Sequence, residues 1–134
     1  MWCCLVGSEM CIRDSHRANV TEANLYYEGS ITIDKDLMDA ACILPYEQVH
    51  IFNLTNGERF ITYVIEGERN SGVICTNGAA AHCARKGDCL IIVSFANMPL
   101  DEAKKYKPKL VYVNSENLQV EADLLDGKLV KILG

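Results

Sequence analysis

From residue 16 onward the chain is a succession of short β-branched and apolar runs separated by turn residues, with lengths that suit strands. Residues 16–20 read as a first strand and residues 21–24 as a polar turn. A short aromatic run, Leu25-Tyr26-Tyr27, is interrupted by Glu28-Gly29-Ser30 before residues 31–33 resume as a β-branched strand. Asp34 suits a helix N-cap. Leu37, Met38, Ala41 and Cys42 then recur at helical spacing, so one short amphipathic helix is expected, ended by Pro45.

Residues 48–54 form the next strand. Asn56-Gly57 is the pair that a two-residue hairpin turn prefers, and residues 59–65 return as the partner strand. Residues 73–76 make another strand that runs into Asn77-Gly78. Residues 79–83, rich in small side chains, suit a single helical turn. Lys86-Gly87-Asp88 then turns the chain into the most apolar strand, residues 89–95. A short helix over 101–106, a strand over 110–113 and a weak strand over 129–133 complete the pattern. Many short strands, few helical residues and no alternation of strand and helix together predict an all-β fold, a small closed barrel. The triplet Thr-Asn-Gly occurs at 55–57 and again at 76–78, a hint of a duplicated half-barrel.

Composition narrows the function. At 134 residues there is room for one domain, and 49% hydrophobic with 23% charged residues is ordinary for a globular chain. The net charge of −5 excludes the basic footprint of a nucleic-acid binder. Lysines 104, 105, 107 and 109 are the one local basic cluster and read as a solvated loop. No apolar run approaches the ~18 residues that span a bilayer. The N-terminus also lacks the charged start and apolar stretch of a signal peptide, so the expected compartment is the cytoplasm.

Seven cysteines are present, but Cys42, Cys75, Cys83 and Cys89 show no spacing suited to zinc, and no metal site is expected. Cys42 and Cys89 lie in apolar stretches, where a free thiol behaves as a small buried hydrophobe. His82-Cys83 has no second ligand or partner base at a useful spacing. Residues 1–15 show neither strand alternation nor helical period, and SEMCIRDS within them resembles a translated sequencing adapter. They are therefore read as a non-native segment ahead of a single domain over 16–134. Leaving out Glu9, Arg13 and Asp14 changes the net charge only from −5 to −4.

By composition, Glu28-Gly29-Ser30 is a turn. A Gly-Ser bond held under strain has a further reactivity. Glycine reaches backbone conformations closed to other residues, and the serine hydroxyl then approaches the preceding carbonyl. Attack there converts the amide to an ester, elimination cuts the chain, and the dehydroalanine left behind hydrolyses to a pyruvoyl group. Spacing alone is compatible with both readings.

The ordered motifs choose between them. Leu25-Tyr-Tyr-Glu-Gly-Ser30, Ile33-Asp34, Asn53-Leu-Thr-Asn-Gly57, Arg59-Phe60, Thr62-Tyr63 and Asn77-Gly-Ala-Ala-Ala-His-Cys83, with His16-Arg-Ala-Asn-Val-Thr21 before them, resemble the aspartate 1-decarboxylase family of pantothenate synthesis. The resemblance runs from His16 to about Pro99 and more loosely through Tyr112. It implies a double-psi β-barrel, assembled as a homotetramer with active sites between subunits. It also implies a precursor that cuts itself between Gly29 and Ser30, with Ser30 becoming the covalent pyruvoyl cofactor.

The substrate so implied is L-aspartate, converted to β-alanine and carbon dioxide. The resemblance further implies that Arg59 pairs with a substrate carboxylate, a task suited to its two-pronged donor fork, and that Tyr63 returns the proton after carbon dioxide leaves. By the same resemblance, Thr62 and Asn77 are expected to hydrogen-bond the Gly29 carbonyl or its oxyanion during self-cleavage. Gly78, Ala79 and Ala80 line the pocket, and His16 lies near it. One position departs from the family: Asp14 stands where a lysine precedes the His-Arg pair. Rival readings are an uncut barrel serving as a binding or assembly module, a decarboxylase of another amino acid such as glutamate, and a DNA-binding swapped-hairpin barrel, which the acidic charge disfavours. A maturation factor is compatible with the resemblance as a further partner.

Overall fold

The computed structural model describes the backbone at residues 2–4, 7–106, 109–125 and 128–132, and side chains at 17–106 and 110–118. The described residues form eleven strands and three short helices. The strands are β1 (Trp2–Cys4), β2 (Gly7–Asn19), β3 (Glu22–Asn24), β4 (Ser30–Asp34), β5 (Gln48–Asn53), β6 (Arg59–Gly67), β7 (Ile74–Asn77), β8 (Cys89–Met98), β9 (Lys109–Val113), β10 (Gln119–Leu125) and β11 (Lys128–Ile132). The helices are α1 (Lys35–Ala41), α2 (Ala80–Cys83) and α3 (Leu100–Lys105).

The strands follow the order β11-β10-β9-β2-β8-β5-β6-β4-β7-β3, with β1 beside β2. Three pairs are parallel (β2 with β9, β3 with β7, β4 with β6) and the rest are antiparallel. β2 and β3 are almost one strand, yet β2 pairs with β8 while β3 pairs with β7 at the far end of the path. The two residues between them make the join. Val20 N–H donates to Asp88 O (2.9 Å) on the β8 side, and Thr21 N–H donates to Ile74 O (2.8 Å) on the β7 side. The sheet therefore curls back on itself, as the double-psi β-barrel expectation requires.

Inside lie Ala18, Val20, Ile31, Ile33, Val49, Ile51, Val64, Ile74, Leu90 and Ile92, while Leu37, Met38 and Ala41 of α1 pack onto the same core. Each fully buried aliphatic side chain here contributes about 1.5–3 kcal/mol relative to exposure. The strand expected over 48–54 is observed as β5, in which Val49, Ile51 and Asn53 are buried and alternate with the more exposed Gln48, His50 and Phe52.

Two buried polar side chains fasten the loops. The Asp34 carboxylate accepts from the N–H groups of Asp36 (2.8 Å), Asn70 (3.2 Å) and Gly72 (2.8 Å), so the expected N-cap also ties down a distant loop. Asn117 Oδ1 accepts from Asn19 N–H (2.7 Å), and its Nδ2 donates to Asn19 O (2.8 Å) and Gly72 O (2.7 Å).

Several expectations are corrected. The helix ends at Ala41, before Pro45, because its cap residue Cys42 takes a left-handed conformation (φ 59°) that stops it; Cys42 is exposed, Cys89 half-buried, and Cys75 is the buried one among the described cysteines. Asn56-Gly57 is not a two-residue hairpin turn. The last β5–β6 pair is Phe52 with Arg59, and of the Asn-Gly pair only Gly57 has positive φ. The longer loop is held by Asn53, whose Oδ1 accepts from Thr55 N–H at 2.9 Å. Residues 22–24 are a strand, paired through backbone alone with all three side chains exposed. The first strand begins nine residues before His16, at Gly7, since ladder bonds to the apolar β8 accept any side-chain pattern. The side chains of residues 1–16, of Lys107 and Lys109, and the last residue of the expected 129–133 strand lie outside the described residues.

Candidate functional site

β4 and β7 run antiparallel with Ser30 opposite Asn77 and Thr32 opposite Cys75. Alternate strand residues share a face, so these four side chains meet on one face of the pair. Ser30 is fully buried although it follows the exposed run 22–29. Its hydroxyl donates to Glu28 O (2.9 Å) and accepts from Asn77 Nδ2 (3.0 Å). The same Nδ2 donates to Thr32 Oγ1 (3.0 Å), and Cys75 Sγ lies 3.2 Å from Asn77 Oδ1. Burial pushes the Cys75 thiol above its ordinary range, and the charge of Glu22 on the neighbouring strand adds to the shift.

The chain leaves β7 through Gly78, in the left-handed region at φ +61°. A β-carbon there would meet Gly29 N and Tyr27 O at 2.7 Å each, so the Tyr27–Gly29 loop rests directly on Gly78. α2 follows at once. Its end is fixed from the β5–β6 loop, where Asn53 Nδ2 (2.9 Å) and Asn56 Nδ2 (3.0 Å) both donate to Cys83 O. The Asn53–Gly57 motif therefore seats α2 against β6.

Between these elements is a cavity of about 300 Å³ lined by Gly29, Phe60, Ile61, Thr62, Tyr63, Ala79, Ala80 and Cys83. Its small alanines leave room for a molecule of amino-acid size. Tyr63 and Thr62 also border a second, open hollow with Tyr46, Gln48 and Ile61, where the Tyr46 and Tyr63 rings lie 6.5 Å apart.

Of the residues singled out from the sequence, Ser30 and Asn77 are hydrogen-bonded to each other, and Gly29, Thr62, Tyr63, Ala79 and Ala80 share one cavity. Gly78 supports that cavity's Gly29 wall. Arg59 is not among the cavity's lining residues; it is exposed, with its guanidinium carbon 5.1 Å over the Phe52 ring. His16 is opposite Tyr112 in the β2–β9 ladder, and its side chain lies outside the described residues.

Gly29 does not occupy a conformation closed to other residues, since it lies outside the left-handed region and an added β-carbon would meet nothing within 4 Å. The conformational need falls on Gly78 instead. Residues missed from sequence are Cys75, Thr32, Phe60 and Cys83. The first two carried a signal, the matched spacings Ser30-x-Thr32 and Cys75-x-Asn77 in two adjacent strands.

Comparison with known proteins adds a family. A protein-family model described as Aspartate decarboxylase matches residues 7–120. A protein of Thermoanaerobacter pseudethanolicus named Aspartate 1-decarboxylase is 59% identical over 105 residues, covering 78% of this chain and 90% of its own. Proteins of the same name from Clostridium botulinum (strain 657) and Syntrophus aciditrophicus are each 59% identical over 102 residues. Each covers 76% of this chain, with 80% and 88% of their own lengths respectively.

Proposed function

This chain belongs to the aspartate decarboxylase family, and we propose that it equips itself for that reaction by cutting the Gly29–Ser30 bond and converting Ser30 into a pyruvoyl group. The reaction is the decarboxylation of L-aspartate to β-alanine and carbon dioxide, a lyase activity. Support for the self-cleavage comes from one observation above all: Ser30 is buried, follows a glycine on the rim of a cavity, and has its hydroxyl held between the Glu28 carbonyl and the Asn77 amide.

In the cleavage, Ser30 Oγ bonds to the Gly29 carbonyl carbon, the amide C–N bond breaks, and the nitrogen takes up the hydroxyl proton. Loss of the Ser30 α-proton then expels the Gly29 carboxylate, and water replaces the nitrogen as ammonia. Asn77 and Thr62 supply hydrogen-bond donors for the oxygen on which charge develops. Small residues at 78, 79 and 80 leave the new terminus uncovered. Gly29 becomes the end of the shorter chain.

The ketone so made supplies the electron sink that loss of carbon dioxide needs. Arg59 binds a substrate carboxylate, and Tyr63, on the cavity wall, returns a proton to the substrate carbon. His16 stands near the site. A homotetramer with sites between subunits fits the exposed apolar side chains of Ile61, on the cavity wall, and of Tyr46, on the adjoining hollow, and would let Arg59 serve a site that includes residues of a neighbour. No helix among the described residues is long and apolar enough to cross a membrane; the compartment proposed is the cytoplasm, and the pathway that of pantothenate. Residues 1–15 are proposed to be non-native, with Asp14 in place of a lysine.

The Ser30→Ala variant tests the reading. It is expected to stay a single chain and to release no carbon dioxide from carboxyl-labelled aspartate, whereas the parent protein is cut in two and releases it. An S30A protein that retains the activity contradicts it.

A further inference from the structure

Cys75 is a buried thiol that the reaction above leaves unused, and it touches the residue that holds Ser30. The Asn77 side chain uses each of its polar sites. Two N–H donors go to Ser30 Oγ and Thr32 Oγ1, at 3.0 Å each, and the carbonyl oxygen lies 3.2 Å from Cys75 Sγ. An asparagine amide can turn end over end about its last bond, exchanging oxygen and nitrogen. Serine and threonine hydroxyls do not oppose such a turn, because each can donate or accept by rotating its proton. A protonated thiol does oppose it. Its S–H gains by facing the amide oxygen and gains little by facing the N–H₂ group. Burial, with Glu22 alongside, favours the protonated form.

We propose that Cys75 is a positioning residue for self-cleavage: its S–H holds the Asn77 carbonyl, so that the amide N–H groups face Ser30. Without that donor the flipped amide presents its oxygen to the Ser30 hydroxyl. The N–H donor that now reaches the Ser30 side chain is then lost from the point of cleavage, and a lone pair faces the reacting hydroxyl instead. The inference rests on the reading of Gly29–Ser30 as the point of cleavage.

The experiment follows the fraction of freshly purified full-length chain that is cut, by intact mass against time, in the parent protein and in Cys75→Ser, Cys75→Ala and Cys75→Val. Serine restores a donor, and valine fills the volume without one. Cys75→Ala and Cys75→Val are expected to cut about threefold to tenfold more slowly than the parent, the worth of one net hydrogen bond. Cys75→Ser is expected within about twofold of the parent, with all melting temperatures close together. If the alanine variant fails to fold, valine carries the same comparison. Cleavage of the alanine and valine variants at the parent rate overturns the proposal, as does a serine variant as slow as both. A parent chain that stays whole overturns the underlying reading and this inference with it.

Discussion

A β-carbon added at Gly78 meets backbone atoms of Tyr27 and Gly29 at 2.7 Å, whereas one added at Gly29 meets nothing within 4 Å. The two glycines thus have different jobs. Gly29 contributes a carbonyl on the cavity rim; Gly78 lets the loop carrying that carbonyl come down onto the strand. Gly78→Ala must push the Tyr27–Gly29 loop away while holding alanine at φ +61°, a combined strain of about 1–3 kcal/mol. Its cleavage is expected to slow by about tenfold or more, measured as the time course of chain scission; unchanged kinetics would contradict the seating role. Most residues of this site were legible because they sit in contiguous motifs. Cys75 was not, because its partner Asn77 is two residues away and only pairing of β4 with β7 brings the group together. Arg59 shows the reverse. Its type suits a carboxylate, yet its surroundings within one chain are solvent and the Phe52 ring.

At the scale of elements, β5, β6 and β8 were legible because they are runs of β-branched and other apolar residues between turn residues. α2 was legible from its run of small residues. β3 was not, since Glu22, Ala23 and Asn24 bury no side chain and are held only by the backbone of β7. The loop after β5 misled for a related reason. Asn56-Gly57 carries a hairpin signature, but the buried Asn53 reaches over it to Cys83 O and Asp88 and sets a wider turn. Repetition of Thr-Asn-Gly likewise hides a difference. Gly57 and Gly78 share positive φ, yet Asn56 caps α2 while Asn77 holds Ser30. Side-chain amides thus join elements that distance in sequence conceals. Asn117 does so most completely, pairing with both backbone groups of Asn19 and with Gly72 O. Asn117→Ala strands those buried groups and is expected to destabilise the fold by about 2–4 kcal/mol, read by urea denaturation; a loss below about 0.5 kcal/mol would deny it that role.

Across the whole molecule, closure of the barrel brings the function together. β4 and β7 carry the serine and its amide, β6 the cavity wall with Thr62 and Tyr63, and α2 the alanines. Barrel closure through Val20 and Thr21 fixes β7 beside β3 and so fixes where Asn77 can reach. Exposed Ile61 and Tyr46 border the open hollow that adjoins the cavity through Thr62 and Tyr63, which suits a site completed by a neighbouring subunit. The most direct test of the central claim is the intact mass of the purified protein, taken together with its release of β-alanine from aspartate. Two chains, residues 1–29 and residues 30–134, are predicted, the longer one lighter by one ammonia than an unmodified serine terminus would make it. A preparation that releases β-alanine while Ser30 remains an unaltered serine in a single chain would contradict the account.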